Sequence, residues 1–146
     1  MIVEAQAGIR VRVRLDYLGE VRTRLFGHRS NQKAAEEVRE QRIALFRNVP
    51  VQGLEIEDVD SSLEVYTITD RETGREVVYA PIIVTARLDR LEDLVPFLIM
   101  EELRKLEVIE PQEFHLSAGD VQRLLVRMNM ETRQALMELA KRASAR

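Results

Sequence analysis

The sequence predicts an α+β domain: an antiparallel sheet in split βαβ order, an additional N-terminal hairpin or long strand, and a long C-terminal helix. Three observations predict it. Ile9, Val11, Val13, Leu15 and Tyr17 alternate with Arg10, Arg12, Arg14 and Asp16, the period of two of a half-buried strand. Two extended runs and a return strand follow in residues 51–88, closed by the loop at residues 70–75. From about Ser117, apolar residues recur at helical spacing almost to the end of the chain.

Taken in order, Leu18, Gly19 and Glu20 offer a turn, and Val21 to Leu25 alternates again, so a hairpin is expected, or one long strand bulged at Gly19. Ser30 or Asn31 then caps a helix running to about Arg47, with Ala34, Ala35, Val38, Arg42, Leu45 and Phe46 on one face. Asn48 and Pro50 end it. Strands are expected at Val51–Glu57 and Leu63–Thr69, parted by an acidic turn at Asp58–Ser62. If Asp70 faces Arg75 across the next loop, Ile68 meets Val77 and Tyr66 meets Tyr79. The return strand, Glu76 to Leu88, contains Pro81, which argues for an edge or a bulge. Asp89 and Glu92 have the spacing of a capping box, predicting a second helix to about Leu106 with a kink at Pro96. Val108 to Leu116 reads as a last strand, interrupted by Pro111. The final helix carries Val121, Leu124, Leu125, Met128, Thr132, Ala135, Leu136, Leu139 and Ala143 on one face, and the unbroken phase through Asn129 predicts one continuous rod.

The middle of this order, βαββαβ, resembles that of ferredoxin-like domains, a superfold with many functions, so the resemblance implies a sheet topology and no activity. One domain spans residues 1–146, with a core at 8–116 and the C-terminal helix at 118–144.

Composition narrows the functional classes. Hydrophobic residues make up 45% of the 146 and charged residues 32%, a mix suited to a folded domain. No apolar run approaches the ~20 residues that span a bilayer, and the N-terminus lacks the pattern of a signal peptide, so a soluble cytoplasmic protein with no membrane association is expected. Cysteine is absent, which excludes disulfides, thiolate metal sites and cysteine nucleophiles. Only Lys33, Lys105 and Lys141 are lysines; the arginine bias fits codon usage or thermal adaptation.

Catalytic motifs are missing: there is no glycine-rich phosphate loop, zinc-binding helix or nucleophile elbow. His28 and His115 have no metal-ligand spacing, and the acidic run Glu55, Glu57, Asp58 and Asp60 is commonplace in turns. No metal or cofactor is expected, and the balance leans against an enzyme, with His28 the one acid–base candidate. Two features carry functional expectations. Arg10, Arg12 and Arg14, joined by Arg22 and Arg24, form a basic strand face, and Arg29, Ser30, Asn31 and Lys33 stand at a helix start suited to anions, so the pair is a candidate phosphate or nucleic-acid surface. The competing expectation is a solvated or salt-bridged face, given the acidic middle third and net charge of −3. On the C-terminal helix, Val126, Met130 and Met137 form a second apolar stripe, a candidate interface for a homodimer or a protein partner. The leading functional expectation is thus a non-catalytic, self-associating interaction or small-ligand-binding regulatory module, with nucleic-acid binding as the alternative.

Overall fold

A computed structural model describes residues 8–19 and 27–145. The elements are β1 (Ile9–Leu18), α1 (Gly27–Asn48), β2 (Leu54–Asp60), β3 (Tyr66–Thr69), β4 (Glu76–Leu88), a 3₁₀ turn (Leu91–Leu94) leading into the single turn α2 (Val95–Leu98), β5 (Leu103–Glu110) and α3 (Ala118–Ser144). This is an α+β chain with a five-stranded, open antiparallel sheet and a long C-terminal helix.

The alternation read in β1 produces two faces. Ile9, Val11, Val13, Leu15 and Tyr17 are buried, and they meet Ile82, Val84, Ala86 and Leu88 of β4 under α1 and α2. Burying each such aliphatic side chain contributes roughly 1.5–3 kcal/mol, so this layer dominates the stability of the sheet. Ile43 of α1 and Phe97 of α2 close it from above, and Phe46 stacks on Phe97 at 6.3 Å between ring centroids. The arginines of β1 point to the opposite, uncovered face.

In the sheet, β1 lies between β4 and β5, and β4 lies between β1 and an edge made of β2 and β3. β2 and β3 run end to end along the same side of β4: Asp60 pairs with Ile83, and Tyr66 with Tyr79. The expected pairs Tyr66–Tyr79 and Ile68–Val77 are both present.

Pro81 does not mark an edge, since β4 is a central strand. The reason is the break in its neighbour. Asp16 donates its backbone N–H to the Glu102 carbonyl, 2.9 Å away, so Asp16 and Pro81 are a pair that exchanges no hydrogen bonds. The Pro81 nitrogen therefore points away from β1, into the gap opposite residues 61–65, where no ladder donor is required.

Several boundaries differ from those expected. The acidic stretch Asp58–Asp60 is strand, because a bulge between Ile56 and Asp58 lets Val59 turn into the core. The second helix ends at Leu98, and Leu103–Leu106 belongs to β5. A register shift between Arg14 and Leu15 places Leu103 and Leu106 against the same core although they are three apart, a spacing that mimics a helix. Arg90, not Asp89, precedes the 3₁₀ turn, and its N–H donates to the Asp93 carboxylate at 3.0 Å. The last strand stops before Pro111. The predicted hairpin partner, Val21–Leu25, lies outside the described residues.

α1 begins at Gly27, ahead of the expected caps Ser30 and Asn31. It is pressed onto the end of β1 at Gly19, where an added Cβ would lie 2.8 Å from the Ala35 nitrogen. α3 is continuous, as its phase requires. Ser117 caps it, accepting from the Asp120 N–H at 3.1 Å while its own N–H donates to the Asp120 carboxylate at 2.9 Å.

Candidate functional site

Arg10, Arg12 and Arg14 share the uncovered face of the sheet, but each one faces a carboxylate. Arg10 pairs with Glu57 at 3.1 Å and with Glu110 at 3.8 Å, and Arg87 reaches the same Glu57 at 3.6 Å. Arg12 lies 3.4 Å from Glu107, its partner across the β1–β5 ladder. Arg14 grips Asp16 through Nε at 3.0 Å and a terminal nitrogen at 3.3 Å. The face is thus neutralised within the fold.

The second half of the anion reading lies elsewhere. α1 packs on the apolar side of β1, so its start and the arginines occupy opposite faces of the sheet. Asn31 and Lys33 lie within α1, past its first residues, and the side chains of Arg29 and Ser30 lie outside the described ones, as do Arg22, Arg24 and the His28 ring. Among the described residues, no group of acidic side chains and histidines is arranged to hold a metal ion.

A polar cluster that periodicity does not reveal sits at the end of β1. Asp16 is 2% exposed, held by Arg14 and by the Tyr66 hydroxyl, which donates to its carboxylate. Burial and the Asp16 hydrogen bond push the Tyr66 hydroxyl up to about 12, so it stays protonated as a donor. Tyr66 stacks on Tyr79 at 5.5 Å, and Arg104 lies over the Tyr79 ring at 5.4 Å. The one signal in the sequence is Asp16 itself, an acid breaking a run of arginines. This arrangement locks β1, β3 and β4 together and leaves little of either ring free to stack on a base.

On the other face, the brevity of α2 leaves part of the sheet uncovered beside α1. A cavity of about 550 Å³ opens there, walled by Phe46, Leu54, Ile56, Phe97 and Met100, with Tyr17, Arg42 and Glu102 among its polar lining. Tyr17, Arg42, Leu45 and Glu102 also line a second hollow that continues around the end of β1. The Arg42 guanidinium lies 5.7 Å from the centre of the Tyr17 ring. Burial raises the Tyr17 hydroxyl to about 12, helped by the Glu102 carboxylate and opposed by Arg42.

α3 is the most exposed element. It rests chiefly on the 3₁₀ turn and α2, and none of its described residues is buried. Only Gly119, Asp120, Leu124, Arg127, Glu131 and Ala135 are half-buried, a narrow line that includes the Arg127–Glu131 ion pair at 2.8 Å. Apolar residues therefore flank this line on both sides. Leu125, Leu136 and Leu139 of the broad face stand 51–60% exposed, and Val126, Met130 and Met137 of the second stripe 58–61%. Val126 and Met130 border a shallow cleft with Glu92 and Arg123. No helix among the described residues is long and apolar enough to cross a membrane. No family model matches the chain, and neither a curated protein nor a solved structure shows significant similarity to it.

Proposed function

We propose that this protein is a non-catalytic module that associates with a second copy of itself through α3. The observation that carries the reading is the helix: 27 residues, about 40 Å at ~1.5 Å per residue, capped at its start and apolar on two sides, with no buried residue. A helix of this length is marginal alone in water and draws its stability from packing an apolar face. Val121, Leu125, Met128, Thr132, Ala135 and Leu139 follow one another at alternating spacings of four and three, the seam along which two helices pack.

Exposed side chains on the helix support the same reading: Leu125, Leu136 and Leu139 on one side and Val126, Met130 and Met137 on the other are each more than half exposed. Burying a half-exposed aliphatic side chain returns about 1 kcal/mol, so five per copy give about 10 kcal/mol for a pair. Association costs about 4–15 kcal/mol, so these side chains alone leave at most about 6 kcal/mol, a weak, concentration-dependent dimer of tens of micromolar at its tightest.

The topology is proposed to be ferredoxin-like. Counting β2 and β3 as one interrupted edge strand, β1 and β4 are central and β5 forms the other edge, the order of a split βαβ sheet. The nucleic-acid alternative has less support, because the arginine face is matched by carboxylates and separated from the start of α1.

Sedimentation velocity across a micromolar concentration series tests the reading. Leu125→Glu with Leu139→Glu is expected to give a monomer at every concentration with an unchanged far-UV spectrum. Met130→Glu with Met137→Glu distinguishes the second stripe. A wild-type chain that remains monomeric at high micromolar concentration overturns the proposal.

A further inference from the structure

We propose that the cavity between α1, β2 and α2 binds a small zwitterion with an apolar body, the chemistry of an apolar or aromatic α-amino acid. This site is separate from α3, and nothing in the self-association reading depends on it.

Size comes first. About 550 Å³ lies within the range of small-molecule sites and corresponds to about eighteen water-sized units of ~30 Å³. That holds a molecule of amino-acid size with room to spare, so the chemistry of the lining rather than the volume selects the ligand. The walls match an apolar body: Phe46, Phe97, Leu54, Ile56 and Met100 offer two aromatic rings and three flexible aliphatic or thioether chains. Water in such a space finds few hydrogen-bond partners, so an apolar group displaces it favourably.

Charge then selects the ligand class. The cavity carries two cations, Arg42 and Arg47, and two carboxylates, Glu55 and Glu102. Arg42 and Glu102 both act on the Tyr17 hydroxyl, and Arg42 lies over the Tyr17 ring, yet neither forms an ion pair with the other or with any other described residue. This separates them from Arg10, Arg12 and Arg14, whose charges are already matched. A ligand carboxylate alone satisfies Arg42 and meets repulsion from Glu102. An amine alone does the reverse. A molecule carrying both groups beside its apolar body satisfies both, and the Tyr17 hydroxyl in the same lining is a neutral donor. The structure supplies no covalent chemistry at this site, so the role is binding, with the occupied cavity bridging α1 to β2 and α2.

Calorimetric titration of the full chain with phenylalanine, leucine, methionine and glycine tests the assignment. The deaminated and decarboxylated analogues of phenylalanine, 3-phenylpropanoate and 2-phenylethylamine, serve as probes of each charge. At least one apolar amino acid is expected to bind saturably, glycine not at all, and both analogues at least about tenfold more weakly than phenylalanine. Arg42→Gln and Glu102→Gln, both at positions in contact with solvent, are each expected to weaken binding about tenfold with the unfolding midpoint unchanged. Three results overturn the proposal. One is no saturable binding of any apolar amino acid at millimolar concentration, the outcome also expected if the α3 of a second copy fills the cavity. The others are equal binding of the deaminated acid and binding unaffected by Arg42→Gln.

Discussion

The Asp16–Tyr66 contact shows how a single buried carboxylate constrains its surroundings. Asp16 is almost fully buried, and its partners are Arg14 and the Tyr66 hydroxyl. Tyr66→Phe keeps the ring stack on Tyr79 but leaves one carboxylate oxygen short of a donor, so it should destabilise the fold by about 1–3 kcal/mol in urea unfolding. A loss below about 0.5 kcal/mol would mean that Arg14 alone satisfies the carboxylate. The same hydroxyl gives a pH dependence with a definite sign. The Tyr66 and Tyr17 hydroxyls are raised to about 12 in the folded protein from an ordinary value of 10.0, so the folded state holds these protons more tightly than the unfolded chain. Their contribution to stability is complete below about pH 10 and disappears as pH rises through about 12. Tyrosinate absorbance should therefore show two rings ionising late in the folded protein and near 10 in urea. At the acid end, the Asp120 carboxylate is held below its ordinary value chiefly by the Ser117 N–H, so the cap on α3 persists above the carboxylate range and is lost as pH falls through it.

The sheet was the most legible part of the sequence, wherever side chains obeyed strict alternation. β1 could be read residue by residue, and the Tyr66–Tyr79 register followed from the loop closed by Asp70 and Arg75. Legibility failed where a bulge altered the period, as at Leu103–Leu106, where a strand imitates a helix. It failed again at Asp58–Asp60, where charged edge residues look like a turn. Pro81 misled because the break between β2 and β3 is a property of the neighbouring strand, invisible in β4 itself. At the site, Arg42 and Leu45 did fall on the predicted inner face of α1, yet both are exposed and line the hollow left by the short α2. Sequence pattern placed them facing inward and could not reveal that nothing covers them. Two local devices can be tested at this scale. Gly19→Ala would drive a methyl group into the α1 backbone at Ala35 and should destabilise the protein by about 1–3 kcal/mol. Ser117→Ala removes a cap acceptor and should destabilise α3 by about 1 kcal/mol, visible as faster amide exchange at Asp120 and Val121.

At the scale of the whole molecule, two surfaces of different chemistry compete to define the protein. The arginine face is polar, but its charges are spent on Glu57, Glu107, Glu110 and Asp16, while α3 leaves two apolar stripes exposed. Association through α3 should accordingly hold or tighten slightly as salt rises, because apolar burial is not screened. Dissociation of the dimer between low and high salt in sedimentation runs would point to ion pairs across the interface. The broken edge of the sheet has a consequence of its own. An open five-stranded sheet has two rims at which a foreign strand could add on and start a fibril. One rim is cut into segments of seven and four residues, bulged and studded with Glu55, Asp58 and Asp60. The other carries Arg104, Lys105, Glu107 and Glu110 and stops against Pro111. Neither rim offers a long, smooth template, so the same interruption that accommodates Pro81 also guards the chain against amyloid-like growth.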